Sequence, residues 1–351
     1  MKQLRNITAI SMELDAKTNF IVGDNGAGKS TILEAIHMLA LGRSFKTRQL
    51  KQTVQFEQQY CQIVAKSYQQ QIPIGLQYDL SDGLSIRLNN APLSRLSALA
   101  QHLPLQLIPA NSHQFFEQGP KYRRQLIDWG LFHVEPDYNF HWQHYRKALQ
   151  QRNRSLKQKL SVEYITIWHP PLIEHGEIID RQRKKRLTEL LAVFQQIFPQ
   201  LCPELANVDW TVKYQSGWLK NHSFTEVLEQ GISRDQQLSY TKHGCHNADW
   251  SFLINGHDPA ILLSRGQQKL FFIAICLCQI KTTPNNLGNS LLLIDDLAAE
   301  LDVAHQQTIL QVLNEFAVQS FIAMTSEIMA KRLQTAIKGS TFHVKQGEIV
   351  S

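Results

Sequence analysis

The spacing of apolar and polar positions divides this chain into strand-like ends and a helical middle. Residues 7–12 and 19–22 read as two short strands, and a helix opens at Lys29, carries Leu33, Ile36 and Leu39 inward, and stops near Gly42. Short alternating pieces follow at 61–65, 72–78 and 85–88, with Gly83 and Asn89-Asn90 as turns, which predicts an antiparallel meander. Another strand covers 103–108. From 120 to about 200 the chain is helical and poor in glycine. Pro120 opens a helix with Tyr122, Leu126 and Trp129 on one face. Two long helices then span 138–160 and 174–198, the second stopped by Pro199. Helices of about 25 residues make an arm about 35 Å long, too short in heptads for an extended coiled coil. Strand-like pieces return at 210–212, 238–240 and 252–254, and an apolar helix runs to Ile280. After a polar loop at 282–289 come a buried strand at 291–294, a helix at 303–316, a strand at 320–324 and a final hairpin at 342–349.

Composition narrows the class. With 351 residues, 43% hydrophobic and 19% charged, the chain has the balance of a globular protein. No apolar run approaches the roughly 18 residues of a membrane helix, and the opening Met1-Lys2-Gln3-Leu4 lacks a signal-peptide core. A cytoplasmic location with no membrane partner is the expectation. Five cysteines without a C-x-x-C pair read as buried free thiols.

The net charge of +6 is modest, but its placement is not. Arg146, Lys147, Arg152, Arg154, Lys157 and Lys159 fall within residues 141–160, where no acidic residue occurs. Arg181-Gln182-Arg183-Lys184-Lys185-Arg186 follows one helix later. Such runs suit contact with a phosphate backbone, or form a solvated helix face. The DNA-contacting set read from them is Arg146, Lys147, Arg152, Arg154, Lys157, Arg183, Lys184 and Lys185.

The most specific signal is Gly23-Asp24-Asn25-Gly26-Ala27-Gly28-Lys29-Ser30-Thr31, which fits G-x-x-x-x-G-K-[ST] between a strand and a helix. Glycines allow successive N–H groups to converge on one anion, and the following helix adds its positive end. Lys29 then reaches the outer phosphates and Ser30 holds Mg²⁺, so the loop predicts a bound nucleoside triphosphate, ATP. Leu291-Leu292-Leu293-Ile294-Asp295-Asp296 has the form of a strand ending in carboxylates, with Asp295 joining Ser30 at the metal and Asp296 polarising water.

Leu263-Ser264-Arg265-Gly266-Gln267, taken with the phosphate loop and Ala299-Glu300-Leu301-Asp302, resembles the signature of ABC-type ATPases, with Arg265 in place of a glycine. In that fold the signature completes the site of a second molecule. The resemblance therefore implies an ATP-dependent homodimer, with Ser264, Arg265, Gly266, Gln267 and Asp302 acting in trans.

Further pieces narrow the resemblance. They are Ser44-Phe45, the run 119–130 with Arg123-Arg124 and Asp128-Trp129-Gly130, the run 149–153 with Arg152-Asn153, and Gly244-Cys245-His246-Asn247-Ala248-Asp249. In this order they are similar to the RecF family of bacterial recombination and repair proteins. What that implies is an α/β fold: an ABC/SMC-like ATPase head, made of a P-loop sheet lobe with an antiparallel β subdomain, plus a helical arm lobe. The segments are 1–118, 119–205 for the basic arm, and 206–351 for the second half of the ATPase lobe. The family binds DNA at gaps and single-strand/double-strand junctions, hydrolyses ATP slowly as a dimerisation switch, and works with RecR and RecO to help RecA. It normally carries a full strand ahead of the pair seen here as Arg5-Asn6, so here that strand is clipped or the true start lies upstream.

Thr325-Ser326 stands where transporters place a γ-phosphate-sensing histidine, so Thr325 joins Lys29 and Asp296 as a catalytic expectation. Gln106 and Gln114 are both options for the glutamine that follows the 103–108 strand. His243, His246 and Asp249 are loosely spaced, and a metal site stands beside a structural or phosphate-proximal role. The competing readings are a transporter nucleotide-binding subunit and a structural DNA-binding protein with a vestigial site. The basic arm argues against the first, and the intact phosphate and Mg²⁺ positions argue against the second.

Overall fold

The computed structural model describes residues 1–66, 71–93, 95–283, 290–316, 318–325 and 337–350. It divides into two compact units. The first comprises Met1–Ser112, Gln200–Cys202 and Pro284–Ser351, and the second His113–Pro199 and Pro203–Thr283.

In the first unit the chain runs β1 (Lys2–Leu4), β2 (Ile7–Ala9), β3 (Thr18–Val22), α1 (Lys29–Leu41), β4 (Tyr60–Lys66), β5 (Pro73–Asp79), β6 (Gly83–Leu88), β7 (Ala91–Pro92), α2 (Leu96–His102) and β8 (Leu105–Ile108). The second unit contains α3 (Gln114–Glu117), α4 (Pro120–Val134), α5 (Tyr138–Lys157), α6 (Val162–Thr166), most of α7 (His169–Leu201), β9 (Trp210–Gln215), α8 (Phe224–Gln230), α9 (Ile232–Leu238), β10 (Asp249–Ile254), α10 (Pro259–Leu262) and α11 (Arg265–Lys281). The chain then returns to the first unit as β11 (Ser290–Ile294), α12 (Val303–Asn314), β12 (Val318–Met324), β13 (Ser340–Lys345) and β14 (Glu348–Val350).

Two sheets build the first unit among its described residues. One has the order β14-β13-β3-β12-β11-β8 and is parallel from β13 to β8. Its inner strands are unbroken apolar runs because both faces are covered: β3 and β11 are buried at every position. The other sheet is the antiparallel β2-β1-β4-β5-β6-β7. Helix α1 lies between them. Ile32, Leu33 and Ala40 pack with Ile21, Leu293 and Phe321, while Ala35, Met38 and Leu39 pack with Cys61, Ile63 and Leu76. A helix covered on two sides is apolar over most of its circumference, which is why its sequence shows little polarity contrast.

The sequence expectations meet several differences. Residues 238–240 are not a strand: α9 ends at Leu238 and Ser239 turns at φ 61. Helix α8 has a clear capping box, Ser223 with Glu226, that the apolar pattern concealed. Pro199 does not end α7, which continues to Leu201, and α6 is a separate short helix before it. Most of the 282–289 loop and Ser326 lie outside the described residues.

A larger correction concerns the basic runs. Arg152 and Arg183 are buried, at 0% and 1% exposure, and cannot meet DNA. At 3.6 residues per turn a continuous cationic run cannot face one way, and every third or fourth member is turned inward. Arg152 Nη1 donates to Asp235 Oδ2 and Thr241 Oγ1, both at 2.7 Å, and Asn153 Oδ1 accepts the Thr241 N–H at 2.8 Å. Arg183 grips Asp128 with Nε and Nη2, both at 2.8 Å, and gives Nη1 to the Cys245 carbonyl at 2.6 Å. Burial opposes its charge, yet Asp128 beside it raises the Arg183 pKa well above the ordinary value. Arg123 clasps Asp249 through two contacts of 2.8 Å. His246 donates from Nε2 to the Thr241 carbonyl at 3.1 Å, so its Nδ1 accepts the Tyr145 hydroxyl at 2.7 Å. Both ring nitrogens are occupied, and among the described residues no group of three or more His, Cys, Asp or Glu is arranged to hold a metal. Three of the segments that carry the resemblance, 119–130, 149–153 and 244–249, thus form one structural clamp with Arg183, holding residues 241–249 against α4, α5 and α7.

This clamp predicts two outcomes. Arg183→Ala leaves the largely buried Asp128 carboxylate without its partner, and the urea-unfolding free energy is expected to fall by about 3 kcal/mol. Acidification is the second. Burial pushes His37, His133 and His246 down to about 4. These rings bind fewer protons folded than unfolded, so stability is full above about pH 6.5 and is lost as pH falls toward 4. Each contributes about 1.4 kcal/mol per pH unit across that window, and His246→Gln is expected to flatten the measured slope.

Candidate nucleotide site

The parallel sheet brings the two ends of the chain together. β3 and β11 flank β12 and run in the same direction, with Phe20 beside Ile322 and Ile322 beside Ile294. Their C-terminal ends therefore open on one edge, where open α/β sheets bind ligands. From β3 the chain enters the glycine loop, and from β11 it enters Asp295-Asp296. Ser30 Oγ donates to Asp295 Oδ1 at 2.8 Å across 265 positions of sequence.

Backbone geometry shapes the loop. Gly28 sits at φ 120, outside ordinary L-residue space, and caps α1. Lys29 Nζ folds back over the loop, donating to the carbonyls of Gly23 at 2.7 Å and Asp24 at 2.9 Å. Burial lowers its pKa, and Asp296, Asp295 and Asp24 oppose that shift. Asn6 braces the loop from below: its Nδ2 donates to the Gly26 carbonyl at 3.1 Å, and its Oδ1 accepts the Thr31 hydroxyl at 3.1 Å. The β13–β14 turn closes the other side. Gln346 and Gly347 take φ 50 and 82, the left-handed pair of a two-residue hairpin turn, and the Gly347 N–H donates to the Ala27 carbonyl at 2.8 Å. A Cβ on Gly347 would stand 2.2 Å from the Asn6 carbonyl oxygen.

Two residues that the motifs did not flag complete this edge. Glu34 of α1 is fully buried and takes both the Arg5 guanidinium and the Ser44 hydroxyl. This ties β1 to the 43–48 loop. Lys46 on that loop is exposed, its pKa lowered by desolvation and held up by Glu34 and Asp295. The approach of Lys46 to Asp295 carries no local sequence signal.

Asp296 adopts φ 57 and Glu300 φ 66. Non-glycine residues in the left-handed region cluster at functional turns, and aspartate tolerates the conformation better than most. Thr325 follows the end of β12 and is exposed. Gln106 lies buried inside β8, two residues short of its end, whereas Gln114 opens α3 in the second unit.

In the second unit Ser264 caps α11, its hydroxyl accepting the Gln267 N–H at 3.3 Å while Gln267 Oε1 accepts the Ser264 N–H at 3.0 Å. Arg265 and Gly266 make up the first turn, and Ser264 and Arg265 are exposed. Asp302, in the first unit, caps α12 and accepts the His305 N–H at 2.9 Å. The residues around Ser30 suit a nucleotide with Mg²⁺: a cation that keeps most of its waters needs few protein oxygens, and Ser30 and Asp295 already stand together. No helix among the described residues is long and apolar enough to cross a membrane.

Residues 1–348 match the family described as RecF/RecN/SMC N terminal domain. DNA replication and repair protein RecF of Hydrogenovibrio crunogenus is 34% identical over 354 residues, covering 100% of this chain and 97% of that protein. The protein of the same name from Pseudomonas fluorescens Pf-5 is 35% identical over 352 residues, covering 99% and 95%. Among solved structures, the recombination mediator protein RecF-ATPrS of the RecFOR pathway superposes with a TM-score of 0.83 at 25% identity, covering 99% of this chain and 95% of that one. An Smc head domain from Pyrococcus furiosus shares the fold, with a TM-score of 0.55 at 14% identity over 99% of this chain and 94% of that one. The full-length match to these relatives and the SMC-like head that carries the loop agree: this chain belongs to the RecF family.

Proposed function

We propose that this chain is an ATP-dependent DNA-binding protein of recombinational repair, which pairs with a second copy when ATP is bound. The observation that carries the nucleotide part is the Ser30–Asp295 hydrogen bond beside a glycine loop whose lysine is folded over its carbonyls. The Gly23–Thr31 loop binds the phosphates through the N–H groups that carbonyls of the chain leave open, those of Gly23, Ala27 and Thr31 being taken by Met324, Asp24 and Gly28, and Lys29 leaves its carbonyl partners for the phosphate oxygens. Ser30 and Asp295 hold Mg²⁺, which when bound neutralises charge between the outer phosphates. Asp296 accepts a proton from the attacking water, and Thr325 helps orient it. The family relatives, named for DNA replication and repair, support the biological setting.

Ser264, Arg265, Gly266 and Gln267, with Asp302, act on the nucleotide of the second copy. Slow hydrolysis, stimulated by DNA, then reopens the pair. DNA contact falls to the cations that remain outside. Arg146, Lys147, Arg154 and Lys157 are exposed on α5, a helix with no acidic residue. Lys184 and Lys185 are exposed on α7 but shared with Asp180 at 2.7 Å and Glu135 at 3.1 Å. RecR is the direct partner and RecO and RecA act in the same pathway, in the cytoplasm, on gapped or junction DNA.

Three variants separate the parts of this reading. Lys29→Ala is expected to lose ATP binding in a filter assay. Ser264→Arg keeps ATP binding but remains a monomer by light scattering in Mg-ATP, while the unmodified chain doubles its mass. Asp296→Asn binds ATP and dimerises but hydrolyses at least about a hundredfold more slowly, as loss of a general base commonly produces. An unchanged hydrolysis rate in that variant removes Asp296 from the role.

A further inference from the structure

The end of the arm carries an exposure that neither the nucleotide site nor the buried clamp uses. After α5 stops at Lys157 the chain turns, forms the five-residue α6, and enters α7 at His169. α6 buries Ile165 but leaves Tyr164 62%, Ile167 58% and Val162 42% exposed. Isolated apolar side chains on a surface need no explanation, but three within six residues form a patch.

Backbone bonds hold this patch outward. The Leu160 N–H donates to the Ser155 carbonyl at 3.1 Å, Ile167 to Glu163 at 3.3 Å, and Trp168 to Ile165 at 3.4 Å. Lys159 takes a left-handed φ of 53 to make the turn. Arg154, Lys157 and Lys159 are all exposed, and α6 packs against α5, so these cations and Tyr164 share one end of the arm. From Tyr138 to Ile173 the one acidic residue is Glu163, and its side chain bonds to Ser161.

A tyrosine face beside three cations suits a polyanion whose units carry exposed π faces. Duplex DNA supplies the phosphates but keeps its bases stacked on one another, whereas a single strand offers both. We infer that the α5–α6 end of the arm is a binding platform for single-stranded nucleic acid, with Tyr164 stacking on an unpaired base and Arg154, Lys157 and Lys159 following the backbone. This rests on the DNA-binding reading above and assigns the single-stranded part of a gap or junction to a defined surface. Ile167 extends the apolar shelf on which the base lies.

The test compares fluorescence anisotropy of labelled oligo-dT and of a blunt duplex, using the full chain. Tyr164→Ala is expected to weaken oligo-dT binding about tenfold with little change for duplex, within what one stacked base contributes. Tyr164→Phe keeps both affinities. Lys157→Ala weakens both and shallows the salt dependence by about one unit, as loss of one phosphate contact does. Tyr164 is solvent-facing, so unaltered thermal unfolding confirms that the variant is folded. Oligo-dT binding by Tyr164→Ala equal to the unmodified chain overturns the platform and leaves the DNA reading standing. No binding of either DNA by the unmodified chain overturns both. Tyr164-dependent sedimentation with phosphatidylglycerol vesicles that oligo-dT does not displace makes the patch a lipid contact, and also overturns the inference.

Discussion

The nucleotide site depends on one constraint, that β3, β12 and β11 run in parallel. Only then do the loop after β3 and the carboxylates after β11 meet at the same edge, so that Ser30 and Asp295 come within hydrogen-bonding distance. A parallel arrangement needs long connections, and the chain provides one by leaving the sheet after β8 and returning at β11. The whole second unit is built within that excursion. α11 and its exposed cap belong to the same unit as the arm helices, although the strand that leads to Asp295 follows α11 closely in sequence.

Burying charge is the second theme. Glu34, Arg152 and Arg183 are nearly or fully inaccessible, and each is matched by an opposite charge. Such pairs give little net stability over well-packed apolar residues, but they are costly to break from one side. They specify geometry. Glu34 decides where the 43–48 loop lies, and with it Lys46. Arg183 and Arg152 decide where residues 241–249 lie.

Much of this was legible in the sequence because its signals are local. The glycine loop, the apolar strand before Asp295 and the Ser264 cap depend on a few adjacent residues, and each lies on the predicted kind of element. What was not legible depends on facing. Arg152 and Arg154 are two positions apart with identical chemistry, yet one is in the core and the other in water. The alternation at 238–240 suggested a strand, but a short helix with a left-handed exit won, because Asp235 is tied to Arg152 and the Lys242 N–H. His246 and Asp249 looked available for a metal until their partners, Tyr145 and Arg123, came from more than a hundred positions away. The left-handed turn at Asp296 was not read because aspartate tolerates that conformation without requiring it, whereas glycine would have pointed to it.

The Gly347 turn makes the loop dependent on a distant part of the sheet. Its N–H caps Ala27 and its bare Cα lets Asn6 stay beneath the loop, so one wall of the loop comes from a segment more than three hundred positions downstream. The glycine loop cannot reach this geometry from its own residues alone, because Asp295 and Gly347 must both be in place around it. Unpairing β13 from β3 would therefore loosen the loop without altering a single residue of its motif.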